Sequence, residues 1–233
     1  MKKTYNLIGS NSNLAKSLYF ILKKRDLKIN EFSHLDKDME LNFNNLCSPN
    51  NINIYFSIVR DNLRASLAHL NKYLDLSNKY NSTFIYISSV NAKYPNASYY
   101  SKIKYECEKI VFKKGGKVIR LGLVISDNAF GPYLTLKKVA NLPVNFKFSN
   151  STKIITTDIE NFNNIDFENI EGDVKEVFDN QYNLNNFLSS IKLRNSKFNL
   201  NINWIVSFLK LLNKIFLLKG IFGRILTLTY DEN

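Results

Sequence analysis

The chain has 233 residues, is 45% hydrophobic, and carries 17 Phe and 13 Tyr. That length suits one domain, or one domain with a small lobe, and the composition excludes a disordered chain. The formal net charge of +12 would suit nucleic acid, a membrane surface or a phosphorylated ligand, but no basic helix with base-reading residues and no RNA-binding aromatic motif is present, so a nucleic-acid partner is not expected.

Cys47 and Cys107 are far apart and share no metal-ligand spacing with His34 or His69, which argues against a zinc site and suits a reducing compartment. The start, MKKTYNLIGS, is broken by Gly9 before an apolar core can form, so a secretory signal is not expected, and no apolar run is long enough to span a bilayer.

Thr4 to Ile8 reads as a first strand, and Asn13 to Lys24 as a helix with Leu14, Leu18, Ile21 and Leu22 on one side. Between them the Gly-led turn Gly9-Ser10-Asn11-Ser12, with Asn13 and Leu14 opening the helix, forms a cradle for phosphate, because backbone N–H groups and the helix dipole point at the anion. A dinucleotide fingerprint carries three glycines here; this chain has Gly9, with the small residues Ser12 and Ala15 at the other two places. Lys28 to Ser33 reads as the second strand, and its end, Phe32-Ser33-His34 followed by Asp36, leaves NAD and NADP both open. After a short polar segment, Leu35 to Asn51, comes a central strand at Ile52 to Val59. Arg60-Asp61 reads as a surface ion pair, and Leu63 to Lys79 as an amphipathic helix on which His69 is a surface or core residue.

Phe84-Ile85-Tyr86-Ile87 is a buried-strand sequence that ends in Ser88 and Ser89. A polar loop with Pro95 leads to a helix from about Ser98, on which Tyr100 and Lys104 lie four residues apart and so on one face. Tyr99 is the alternative tyrosine, but its partner at that spacing is Ile103. A serine at a strand end facing a Tyr/Lys pair is an acid-base set: the ammonium favours the phenolate, and the hydroxyl holds the same substrate oxygen. Gly115-Gly116 then precedes a further strand, Lys117 to Leu123.

Ile87-Ser88-Ser89 together with Tyr100-Ser-Lys-Ile-Lys104 and the run to Val111 resembles the short-chain dehydrogenase/reductase superfamily, in particular its sugar-nucleotide epimerase/dehydratase branch. The resemblance implies catalytic roles for Ser89, Tyr100 and Lys104. It places Phe56 and Ser57 beside the cofactor, where Phe56 departs from the small residues of relatives, and Leu121 to Leu123 near the nicotinamide. Arg120 and Gly131-Pro132 match the family, Asp127 to Pro143 is expected to cover the substrate side, and in the short Leu35 to Asn51 segment the strand and partial helix that relatives fit there are either compressed or lost. Ile154 to Ile159 and Gly172 to Phe178 are late strands, and Leu184 to Ile191 a helix. The apolar, basic stretch Trp204 to Leu228 suits a membrane interface, a dimer contact or a lobe cover.

The expectation is therefore an α/β, Rossmann-like doubly wound parallel sheet with a small C-terminal substrate lobe, divided into a dinucleotide-binding part at 1–150 and a remainder at 151–233. The resemblance implies an NAD- or NADP-dependent epimerase, dehydratase or reductase acting on a nucleotide-linked sugar in bacterial surface-polysaccharide synthesis. The alternative is a catalytically silent dinucleotide sensor or scaffold. Cofactor contacts are expected from Gly9, Ser10, Asn11, Ser12, Asn13, Leu14, Phe56, Ser57, Tyr100, Lys104, Leu121 and Leu123. A homodimer and a cytoplasmic location, with contact to the inner membrane face through 204–228, complete the expectation.

Overall fold

A computed structural model describes residues 3–33, 38–56, 62–148, 153–193 and 198–201. Six parallel strands form the main sheet: β1 (Thr4–Ile8), β2 (Lys28–Phe32), β3 (Asn51–Phe56), β4 (Thr83–Ser89), β5 (Lys117–Leu121) and, from later in the chain, β9 (Val174–Val177). Their order is β2-β1-β3-β4-β5-β9. The chain moves one way from β1 to β2 and the other way from β3 onward, so the sheet reverses direction between β1 and β3. A crevice opens at the carboxyl ends of strands where such a reversal occurs.

Apolar residues alternate between the two faces. Tyr5, Leu7, Ile54, Ile85, Ile87 and Leu121 pack with α1 (Asn13–Lys24) and with the segment around Phe162 and Phe167. Ile8, Tyr55, Phe84, Tyr86 and Val118 pack on the other face with α2 (Met39–Leu46), α3 (Leu63–Lys79) and α4 (Tyr99–Lys113). Strands buried on both faces read as continuous apolar runs, which is why the central ones were recognisable. The expected doubly wound α/β sheet is present. The short segment between β2 and β3 holds the helix α2, and the sheet runs directly from β1 to β2 at that edge.

One detail differs from expectation. The strand read as Lys117 to Leu123 is two: β5 ends at Leu121, and β6 (Leu123–Ile125) joins a second sheet of order β10-β8-β6, built with β8 (Lys153–Asp158) and β10 (Asn180–Asn183). The break is Gly122, where a Cβ would lie 2.6 Å from the Ile155 carbonyl oxygen. The strand read as Ile52 to Val59 is described only to Phe56; Ser57, Arg60 and Asp61 lie outside the described residues, as do His34, Asp36 and the stretch 204–228. A smaller cluster around Tyr133, Leu136, Leu184 and Phe187 gathers β8 with α5 (Gly131–Ala140) and α6 (Leu184–Ser190). A short parallel pair, β7 (Val144–Lys147) with β11 (Phe198–Asn201), completes the fold.

One polar row crosses the main sheet. Asn30, Asn6 and Asn53 stand opposite one another on β2, β1 and β3. Asn30 Nδ2 donates to Asn6 Oδ1 at 2.9 Å and Asn6 Nδ2 to Asn53 Oδ1 at 2.7 Å. Asn53 Nδ2 continues to Ser82 Oγ at 2.7 Å and Ser77 Oγ at 2.9 Å. The buried amides of Asn6 and Asn53 keep their hydrogen bonds by pairing with each other, with half-buried Asn30 and with the two serines.

Candidate active site

Gly9 follows β1 with φ at +89°, the left-handed region that glycine enters without a steric cost. Its N–H and that of Ser10 donate to the Phe32 carbonyl at 2.8 and 3.2 Å, which ties the turn to the end of β2. Asn11 Nδ2 donates to Ser33 Oγ and closes the turn on the same strand end. Ser12 is the N-cap of α1 and accepts from the Ala15 N–H at 3.1 Å. Ala15 is buried against the sheet. Ser12 and Ala15 therefore have duties of their own: one caps, the other lets the helix approach. The first turn of α1, opened by Asn13 and Leu14, carries no acidic residue, so its dipole is free to favour an anion.

Phe56 is turned into the core on the α1 face, with Ala15, Leu18 and Ile54. The ring fills the interior beneath the helix at the end of β3. Leu121 lies in the same cluster, while Leu123, past the Gly122 break, packs on the smaller one.

The second half of the site comes from β4 and α4. Ser98 caps α4 by accepting from the Ser101 N–H, which sets where the helix begins and so the phase of the residues after it. Lys104 is 6% exposed; its Nζ donates to the Ile87 carbonyl at 2.9 Å and lies 4.7 Å from the centre of the Tyr86 ring and 5.8 Å from that of Tyr100. An aromatic face attracts an ammonium, so these rings hold the cation at the carboxyl end of β4. Tyr100 is 41% exposed. Tyr99 turns the other way, and its hydroxyl accepts from the Leu63 N–H at 3.2 Å at the start of α3. Tyr100, Lys104 and the end of β4 are thus brought together, with Tyr100 rather than Tyr99 on the Lys104 side.

Of the serine pair, Ser89 caps the 3-10 turn Val90–Lys93 by accepting from the Asn91 N–H at 3.3 Å. Ser88 is buried and its hydroxyl has no hydrogen-bond partner among the described residues. Cys107, one turn beyond Lys104 on the inner side of α4, has its thiol pushed up by burial, against the pull of the Lys104 charge and the Tyr86 hydroxyl, which is the wrong direction for a thiolate nucleophile.

Sequence reasoning picked out Arg120 but not its partners. Glu108, four residues past Lys104 on the same face of α4, is 1% exposed and accepts from Arg120 Nε at 3.1 Å and Nη2 at 2.6 Å. Arg120 Nη1 donates to Glu176 on β9 at 3.2 Å, and Glu176 accepts from Lys93 at 2.8 Å. Burial pushes the Glu176 carboxyl up, but the hydrogen bonds from Lys93 and Arg120 prevail and hold it low. Stripe spacing on α4 was the available signal: Tyr100, Lys104 and Glu108 recur every four residues. Among the described residues no group of acidic, His and Cys side chains could hold a metal ion.

This is the doubly wound, Rossmann-like fold with a helix N-terminus and a Tyr/Lys helix at the carboxyl edge of one sheet. No protein-family model and no curated protein sequence matches the chain. Solved structures do. The dTDP-4-dehydrorhamnose reductase of Bacillus anthracis str. Ames, in complex with NADP, superposes with a TM-score of 0.68 at 13% identity, over 87% of this chain and 85% of that one. The Bordetella bronchiseptica enzyme WbmH, in complex with NAD+, gives 0.67 at 9% identity, over 86% of each chain. A nucleoside-diphosphate-sugar epimerase from Staphylococcus aureus gives 0.65 at 10%, over 100% of this chain and 93% of that one. At such identities the likeness is one of fold.

Proposed function

We propose that the chain is an NAD- or NADP-dependent epimerase, dehydratase or reductase acting on a nucleotide-linked sugar. The observation that carries this reading is the meeting of Tyr100, Lys104 and the carboxyl end of β4 on a sheet that also offers the Gly9 turn and the start of α1. The solved structures of like fold, named as sugar-nucleotide enzymes or holding NAD or NADP, support it.

The residues present fit a dinucleotide. The Gly9–Leu14 turn and helix start receive the pyrophosphate. Phe56, Leu121 and Leu123 stand at or near the strand ends for the remaining contacts, with Ser57 outside the described residues; 1–150 is the dinucleotide-binding part, and 151–233 adds the last strand and a substrate or interface lobe. The nicotinamide, when bound, exchanges hydride with a sugar carbon. Tyr100 then gives or takes the proton of the sugar oxygen through its phenol. Lys104, whose Nζ lies beside that phenol on the Ile87 carbonyl, is the residue that would hold the ribose hydroxyls. A serine of the pair holds the sugar oxygen, Ser89 by the resemblance. A homodimer, a cytoplasmic setting, contact with the inner membrane face through 204–228 and a place in surface-polysaccharide synthesis belong to the same proposal. Among the described residues no helix is long and apolar enough to cross a membrane.

One observation favours the silent module instead: the Gly9 and Ser10 N–H groups are already given to the Phe32 carbonyl, which removes two donors from the cradle. A titration with NADH and NADPH, followed by fluorescence and thermal shift, separates the dinucleotide reading from a ligand-free scaffold. Binding of either supports the dinucleotide reading; binding of neither overturns it.

A further inference from the structure

Ser88 and Ser89 are neighbours in sequence with opposite circumstances. Side chains alternate across a strand, so Ser88 shares a face with Tyr86 and Ser89 with Ile87. The Tyr86 face is the one on which α4 packs; the Ile87 face is that of α1. Ser88 also stands opposite Arg120 in the β4–β5 register, and Arg120 reaches up to Glu108 on α4. Ser88 is therefore on the same side as Tyr100 and Lys104.

The hydroxyls differ as well. Ser89 Oγ is engaged as a cap on the Asn91 N–H. Ser88 is 4% exposed, and its Oγ is buried without a partner among the described residues. A buried hydroxyl with no partner is unfavourable, because it has given up water and gained nothing. Natural chains keep such local conflicts mainly at functional positions. The residue before it, Ile87, holds the Lys104 ammonium on its carbonyl oxygen.

We propose that Ser88, not Ser89, is the serine through which the end of β4 binds its ligand. This rests on the dinucleotide-dependent reading above. In the free protein the Lys104 side chain lies along the end of the strand. Its departure toward a bound dinucleotide admits a ligand oxygen, and Ser88 Oγ donates to it. That oxygen belongs to the reacting end of the complex, either the carboxamide of the nicotinamide or the hydroxyl or carbonyl of the sugar. Ser89 keeps the 3-10 turn in place.

The test compares Ser88→Ala, Ser89→Ala and the unaltered chain by thermal unfolding without ligand and by fluorescence titration with NADPH and NADH. The titration is repeated in the presence of dTDP-glucose as a sugar-nucleotide probe. Ser88→Ala should leave the free protein as stable as before, or raise its melting temperature by about 2–4 °C, since it deletes an unsatisfied group. It should weaken ligand binding by roughly five- to tenfold, the worth of one neutral hydrogen bond. Weakening with the dinucleotide alone assigns the carboxamide, and weakening only in the ternary mixture assigns the sugar; either supports the role. Ser89→Ala should lower the melting temperature instead. Unchanged binding of both ligands to Ser88→Ala, whether or not its melting temperature falls, overturns the assignment while leaving the functional reading intact. Failure of the unaltered chain to bind either dinucleotide overturns both.

Discussion

Glu108 and Arg120 form a forked ion pair between the inner face of α4 and the strand beneath it, with Arg120 Nη2 at 2.6 Å and Nε at 3.1 Å from the carboxylate oxygens. Glu108 follows Tyr100 and Lys104 along one stripe of the helix, so the pair fixes the angle at which that stripe meets the sheet. The charge-assisted bonds to Glu108 and Glu176 keep the guanidinium protonated far into the alkaline range, against the opposing effect of burial.

Removing Arg120 should therefore be costly. Arg120→Leu leaves Glu108 as a buried carboxylate without its counter-ion, and the expected loss is about 3–5 kcal/mol, read from urea unfolding. Arg120→Lys keeps the charge but cannot reproduce the fork, and should fall between the two. A loss below about 1 kcal/mol for Arg120→Leu would contradict the pairing.

Turnover should depend on the Tyr100 phenol without the fold doing so. Tyr100 is half-exposed at the start of α4, so Tyr100→Phe should preserve the far-ultraviolet circular dichroism and dinucleotide binding while abolishing hydride transfer. Activity within a factor of about ten of the unaltered chain would remove Tyr100 from the acid-base role.

Helix boundaries were legible because they are written locally. α1 and α3 run over the residues expected from their apolar periodicity, and each starts at a side chain that accepts the N–H three residues on: Ser12 from Ala15, Asn62 from Ala65. The serine end of β4 and the Tyr/Lys spacing were legible for the same reason. What escaped was set by contacts distant in sequence. Gly122 ends β5 because the backbone of β8 passes close by, and nothing near position 122 announces that. The partners of Arg120 sit on a helix and a strand that only the folded register brings together. The pairing of the asparagines on β1, β2 and β3 escaped as well, because only the folded register sets them side by side.

Alkaline stability should carry the mark of Tyr5. Burial first, then the charge and hydrogen bond of Glu168, push its phenol up from 10.0 to about 12. The folded state thus holds the proton more tightly than the unfolded chain. The stability this contributes is fully present below pH 10 and is lost as the pH rises toward 12. Tyr5→Phe, which has no proton to lose, should show a shallower decline in that window when melting temperature is followed against pH.

Acid stability should carry the mark of Glu176. Its carboxyl is held below the ordinary value of 4.5, so its contribution is present above that pH and fades as the pH falls through the lower folded value. Glu176→Gln should flatten the acid side of the stability profile. An unaltered slope would mean that Lys93 and Arg120 do not hold the carboxylate in solution.

The asparagine row has a consequence for how this sheet finds its alignment. β1, β2 and β3 are parallel and joined by helical crossovers, so no tight turn dictates how far one strand slides along the next. An aliphatic row tolerates a slide of two residues, because the same kind of side chain returns to the same face. The row of Asn30, Asn6 and Asn53 does not, since any displacement leaves the buried amides of Asn6 and Asn53 facing hydrocarbon. The row works as a vernier for the edge of the sheet. It sets Ile8 against Phe32 and Tyr55, and thereby decides where Gly9 emerges between its neighbours.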